Sequence, residues 1–164
     1  MRGMRREAFE RLYQAHARQL LAFLVYRTGD VGRAEDILAD TFERVLERGG
    51  SFDPSRGSEK AWLYSIALNQ LRDHARRAGA EARALERVIC GHGGGPTSDI
   101  DVADDRDAVL RGLSRLSEEE REAVALRYGA DLSIKEIAKI VRRPSTTVKG
   151  RLYHALRKLR DELD

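Results

Sequence analysis

The stretch SIKEIAKIVRRPSTTVKGRLYHALRKLR, Ser133 to Arg160, carries clear helix signals and the chain's most lopsided charge. Ser133 with Glu136 three residues later forms a capping box, in which the serine oxygen takes one helix amide and the carboxylate reaches back to another. A short helix follows, with the small residue Ala138 where a second helix must cross closely. After a tight turn a longer helix starts at Ser145 or Thr146. Its apolar positions Val148, Leu152, Ala155, Leu156 and Leu159 step by four, three, one and three, which predicts one buried face. Short helix, turn and longer helix together are the layout of a helix-turn-helix.

The opposite face is the informative one. With Val148, Leu152 and Leu156 turned inward, Thr146, Thr147, Lys149, Gly150, Tyr153, His154 and Arg157 are expected on or near the surface. Hydroxyls, bases and a ring suit phosphate oxygens and base edges in a major groove. From Ile137 to Arg160 the cations are Lys139, Arg142, Arg143, Lys149, Arg151, Arg157, Lys158 and Arg160, with no acid among them. The whole chain carries only +3, from 30 basic and 27 acidic residues, so the segregation asks for a regular polyanion. Duplex DNA is the partner that fits. A solvated basic face is the competing reading of a basic run alone. The turn layout and the caps favour DNA.

Working outward, 164 residues suffice for one ordinary domain or two small helical ones. In the first part Leu12, Tyr13, Leu20, Phe23 and Leu24 mark one face of a long helix ending near Gly29. Asp30 is the expected N-cap of a second, with Ala34, Ile37, Leu38, Thr41, Phe42, Val45 and Leu46 as its buried stripe and Gly49 and Gly50 as its stop. GGSFDPSRG holds too many breakers for regular structure. Ser58 then caps AWLYSIALNQLRDHARR, apolar nearly all round at its start and basic at its end. Beyond Gly79 the pattern decays into CGHGGGPTSD and the acidic IDVADDRD, read as a flexible linker over residues 79–107. Order returns around Val109, Leu110, Leu113 and Leu116, and Ser117 opens a further capping box, SEEE. The fold class is all-α: two small helical domains, residues 5–78 and 108–164, joined by the linker.

Composition excludes several functions. No apolar run approaches the ~20 residues that cross a bilayer, and the N-terminus lacks the apolar core of a secretory signal, so a cytoplasmic location without membrane insertion is expected. Single Cys90 forbids an internal disulfide; with His92 it gives only two of the four ligands a structural zinc needs. His16, His74, His92 and His154 are scattered, and there is neither a Walker-type phosphate loop nor a zinc-binding His-Glu-x-x-His. Neither an enzyme nor a cofactor is expected.

The segments FERLYQAHARQLLAF, GDVGRAEDILADTFERVLER, FDPSRGSEKAWLYSIALNQLRDHARR and LSRLSEEEREAVALRYGADLSIKEIAKIVRRPSTTVKGRLYHALRKLRDEL resemble, in order and spacing, the bacterial extracytoplasmic-function sigma factors of the sigma-70 family. The resemblance spans residues 7–78 and 109–163. It implies a first domain that docks on the clamp of core RNA polymerase and opens the minus-ten element. The second reads the minus-thirty-five element, and clamp and flap are the implied polymerase partners, with promoter DNA as the third. An anti-sigma factor is a further partner common in the family.

The family's acidic clamp-binding helix matches RAEDILADTF, which implies Glu35, Asp36, Asp40 and Thr41 as polymerase contacts. Relatives commonly carry glutamine where this chain has Ala39. The melting segment implies Phe52, Ser58, Lys60, Trp62 and Asn69 around the unpaired strand, with Arg72, Arg76 and Arg77 along its backbone. Trp62 is also a natural core residue. The recognition helix implies Arg143, Ser145, Thr146, Thr147, Lys149, Gly150, Arg151, Tyr153, His154 and Arg157 as upstream-element contacts. Arg142 departs from the family, which usually has glycine in the turn; if that position needs a positive φ, arginine costs ~1 kcal/mol there. Without the resemblance, a dimeric helix-turn-helix regulator that never docks on polymerase stays open.

Overall fold

The computed structural model describes residues 5–85, 108 and 111–163, and divides the chain into two compact units, Met1–Thr97 and Ser98–Asp164. Every regular element among the described residues is helical. Cys90, His92, Val109 and Leu110 lie outside them.

In the first unit α1 runs Arg6–Thr28, α2 Val31–Arg48 and α3 Glu59–Leu85. Gly29 ends α1 in the left-handed region (φ 70°), and its amide donates to the Val25 carbonyl at 2.8 Å. One residue later the Asp30 carboxylate accepts from the Arg33 amide at 3.2 Å, so the chain turns sharply and restarts as a helix at once. The three helices share a core of Leu12, Leu20, Phe23 and Leu24 from α1, Ile37, Phe42 and Val45 from α2, and Leu63, Tyr64, Ala67 and Leu68 from α3. Phe23 meets Tyr64 edge to face at 5.3 Å, and burial raises the Tyr64 phenol well above its ordinary value. Each such side chain contributes about 1.5–3 kcal/mol, which outweighs any single surface charge pair in holding the bundle.

Two expectations for this unit are corrected. Helix α3 does not end before Gly79 but continues through it to Leu85, because no neighbour meets Gly79 and nothing there interrupts the backbone bonds. Leu46, expected in the stripe of α2, is 43% exposed, since α2 is covered by α1 and α3 only on the side of Ile37, Phe42 and Val45.

In the second unit α4 runs Glu118–Val124, α5 Ile134–Val141 and α6 Ser145–Leu163. Residues 111–114 are helical, and Gly112 faces Leu159 so closely that an added Cβ would lie 2.7 Å from its Cδ2. Both expected capping boxes form. Glu120 receives the Ser117 amide while the Ser117 hydroxyl takes the Glu120 amide, and Glu136 and Ser133 repeat the exchange. After α4 the residues Ala125–Gly129 wind one wider turn, of the π type, which ends where the Ala130 amide bonds back to the Ala125 carbonyl at 2.9 Å. The core here is Leu116, Ala123, Leu126, Leu132, Ile137, Val148, Leu152 and Ala155. Leu156, expected inside, is 41% exposed: α4 and α5 cover the line of Val148, Leu152 and Ala155, and the next position round the helix falls past their edge.

Candidate nucleic-acid interface

Helix α5 ends on Arg142, in the left-handed region at φ 56° and ψ 46°, and the Arg143 amide returns to the Ala138 carbonyl at 3.1 Å. The turn keeps the glycine-type geometry with an arginine in it. Pro144 follows, and its carbonyl accepts the Thr147 and Val148 amides at 3.0 and 3.2 Å, which starts α6. That first turn is the positive end of the helix dipole and carries the Ser145, Thr146 and Thr147 hydroxyls.

Because Val148, Leu152 and Ala155 face the core, the rest of α6 is fixed outward. Arg143, Ser145, Thr146, Lys149, Tyr153, His154 and Arg157 are exposed; Thr147, Gly150 and Arg151 are half-buried. An added Cβ on Gly150 would meet nothing within 4 Å, so its smallness serves no internal contact. Tyr153 is 65% exposed and lies against His154, ring centres 5.8 Å apart. Among the described residues no acid pairs with Arg142, Arg143, Lys149, Arg151 or Arg157. Lys158 differs. Its ammonium donates to both oxygens of Glu120, at 3.0 and 2.9 Å, and ties α6 to the first turn of α4. Burial alone would raise the Glu120 carboxyl, but hydrogen bonds from Lys158 and the Ser117 amide and the Lys158 charge outweigh it and hold the group below its usual value. Arg115 likewise pairs with Glu162.

In the first unit the segment before α3 is built rather than loose. The Asp53 carboxylate accepts from the Ser55 amide at 3.0 Å and the Ser55 hydroxyl at 2.7 Å, and these bonds hold it below its ordinary range. Pro54–Arg56 forms one tight turn, and Gly57 follows at φ 156° and ψ −176°, a conformation open essentially only to glycine. The Ser58 hydroxyl then accepts the Ala61 amide at 3.1 Å, as expected. Half-buried Phe52 and Trp62 pack with ring centres 5.3 Å apart, so Trp62 is neither core nor fully exposed. Down α3, Asn69 and Arg76 repeat the face of Trp62 at intervals of seven, a stripe about 21 Å long. Asn69, Arg72, Arg76 and Arg77 are exposed, Lys60 half-buried, and Arg76 pairs with Asp73. Burial and then the charge of Lys60 hold the His16 imidazole below its usual value, against the pull of Glu59. That places His16 of α1 near the start of α3, a proximity that the 44-residue separation hides in the sequence.

The acidic helix divides the residues expected on it. Glu35 and Asp36 are exposed, and Asp40 lies 2.7 Å from His74 of α3. Thr41 is fully buried, as expected of the stripe of α2, and its hydroxyl donates to the Ile37 carbonyl at 2.7 Å; the polymerase contact that the resemblance also implies for it has no exposed surface here. Exposed Glu43 and Glu47, passed over in the sequence, fall with Asp36 and Asp40 at spacings of four, seven and eleven on one side of α2. That spacing was the signal that could have found them.

A three-helix unit followed by a capped helix-turn-helix defines a two-part transcription factor with separate charged faces. Residues 12–81 match sigma-70 region 2, and residues 106–159 match sigma-70 region 4. The chain is 30% identical over 150 residues to the ECF RNA polymerase sigma factor SigL of Mycobacterium tuberculosis, covering 91% of this chain and 85% of that protein. It is 29% identical over 163 residues to the ECF sigma factor BldN of Streptomyces coelicolor, where it covers 93% of this chain but spans only 59% of the relative's length. The sigma factor RpoE of Bartonella quintana, solved in complex with the anti-sigma factor NepR, superimposes with a TM-score of 0.76 at 25% identity, covering 96% of this chain and 97% of that one. The chain belongs to the ECF RNA polymerase sigma factors, proteins that direct RNA polymerase to promoters. No helix among the described residues is long and apolar enough to cross a membrane.

Proposed function

We propose that residues 5–78 dock on core RNA polymerase and open the minus-ten element, while residues 108–164 read the minus-thirty-five element and touch the polymerase flap. The observation that carries the second assignment is the turn and outer face of α6, where Arg143, Lys149, Arg151 and Arg157 pair with no acid among the described residues and stand beside hydroxyls, Tyr153 and His154. Arg143, Arg151 and Arg157 take phosphates; Lys149, Gly150, Tyr153 and His154 meet base edges.

In the first unit the rigid turn before α3 and the Phe52–Trp62 pair offer a surface on which an expelled base stacks. Asn69 hydrogen-bonds it in either sense, and Arg72, Arg76 and Arg77 follow the strand backbone. Unpairing costs a few kcal/mol per base, which stacking of about 1–3 kcal/mol and phosphate contacts offset. Glu35 and Asp36, extended by Glu43 and Glu47, meet the clamp; Asp40 contributes less, being held by His74. The protein works in the cytoplasm with the polymerase, needs no cofactor, and takes an anti-sigma factor as its regulatory partner, as the Bartonella relative does.

The test is transcription from a pool of genomic DNA by purified core polymerase with and without this protein, followed by start-site mapping. New starts sharing two spaced elements are expected. Binding to palindromic sites by the free protein, with no new starts, would overturn the assignment in favour of a dimeric regulator.

A further inference from the structure

Arg142 is the residue of the second unit whose backbone and chemistry disagree. It occupies the left-handed region at φ 56°, where glycine sits without strain and a side chain does not. Asp131, the other non-glycine residue at positive φ among the described residues, is of a type that tolerates this conformation; arginine is not. Arg142 is exposed, and no hydrogen bond, ion pair or ring contact holds its guanidinium among the described residues. The fold therefore gains nothing from arginine here that glycine would not give at lower strain. Strained residues cluster where a ligand is held.

We infer that Arg142 binds a backbone phosphate of the DNA duplex, one contact beyond those made by α6 itself. The inference rests on the reading of α6 as the DNA-facing helix. Arg142 stands three residues before Ser145, the first residue of α6, next to exposed Arg143 and to the positive end of the α6 dipole, which favours an anion. A guanidinium presents two parallel N–H groups to a phosphate, which a lysine ammonium or a single backbone amide does not. Arg142 is exposed on the turn that leads into α6, so its fork is free to meet a flanking phosphate.

The experiment uses holoenzyme and a fluorescent duplex bearing an upstream element recovered by start-site mapping, titrated between 50 and 200 mM salt. Four variants are compared: R142G, R142Q, R142K and the α6 control R157A. R142G and R142Q should each lower the log–log salt slope by about 0.9, so that their binding deficit is about 3.5-fold larger at 50 than at 200 mM. R142K should keep most of the slope. R142G alone should also raise the urea midpoint of the full chain's second unit, because it relieves the strain that R142Q retains. If R142G gains stability while its slope and that of R142Q match wild type, Arg142 is only a strained turn and the inference is overturned. If R157A leaves the slope unchanged as well, the DNA reading of α6 has failed and takes this one with it.

Discussion

Arg157 and Lys158 are neighbours of the same charge, and the structure gives them opposite roles. Lys158 holds Glu120, whose side chain is only 14% exposed, whereas Arg157 is exposed and pairs with no acid among the described residues. Replacing Lys158 by alanine leaves that carboxylate without its ammonium. A hydrogen-bonded charge pair of this kind is worth about 1.5–3 kcal/mol when buried, but the lysine side chain is 43% exposed, so the loss is discounted to roughly 1 kcal/mol. In a unit of this size that lowers the melting temperature by about 4–8 °C. Arg157→Ala should change stability by less than about 0.5 kcal/mol, since the side chain touches nothing that folding needs. On DNA the order reverses. Arg157→Ala removes one phosphate contact and lowers the salt slope by about 0.9, a change of roughly 3.5-fold in relative affinity between 50 and 200 mM salt. Lys158→Ala should leave the slope as it was. Stability would be read by calorimetry and amide hydrogen exchange on the full chain, and DNA binding by anisotropy of holoenzyme on a promoter duplex. A lowered slope in Lys158→Ala with an unfolded second unit in Arg157→Ala would refute the assignment of the two faces.

Charge reversal of Glu35 and Asp36 to arginine should weaken association with core polymerase at least tenfold at unchanged helical content, while Thr41→Val should cost about 1 kcal/mol of stability and leave association intact; co-purification with core separates the two. Trp62 is the chain's single tryptophan, so its emission should shift when holoenzyme opens a promoter, and Phe52→Ala should slow opening while closed-complex binding persists. An emission unchanged on opening would remove the stacking role. The lowered Glu120 carboxyl makes the second unit pH-dependent: its stabilising share is complete above the ordinary glutamate value of 4.5 and fades as pH falls through the lower folded value. Glu120→Gln should flatten that acid limb in pH-dependent denaturation. His154→Ala should change base preference at one or two upstream positions by about 1–3 kcal/mol, read from a library of upstream elements, where a uniform loss of output would argue against base contact.

What the sequence determined by itself was everything decided within a few residues of chain. Asp30 and Ser58, the two capping boxes and the end of α1 near Gly29 form as read, because a cap needs only its own amides and a breaker acts on its own backbone, whereas GGSFDPSRG, read as irregular, winds two single turns of 3-10 helix, Gly49–Ser51 and Pro54–Arg56. The helix-turn-helix and most of its outward residues were legible for the same reason, periodicity fixing a face once one side is apolar. The tertiary structure decided where each face stops. Leu46 and Leu156 continue an apolar stripe yet lie in solvent, and Lys158 belongs to a basic run yet serves Glu120. Those outcomes depend on how far a neighbouring helix reaches across the stripe and on which carboxylate a fold brings alongside from 38 residues away. Neither quantity is encoded in local spacing; both follow from the packing of helices whose crossing the whole unit settles together.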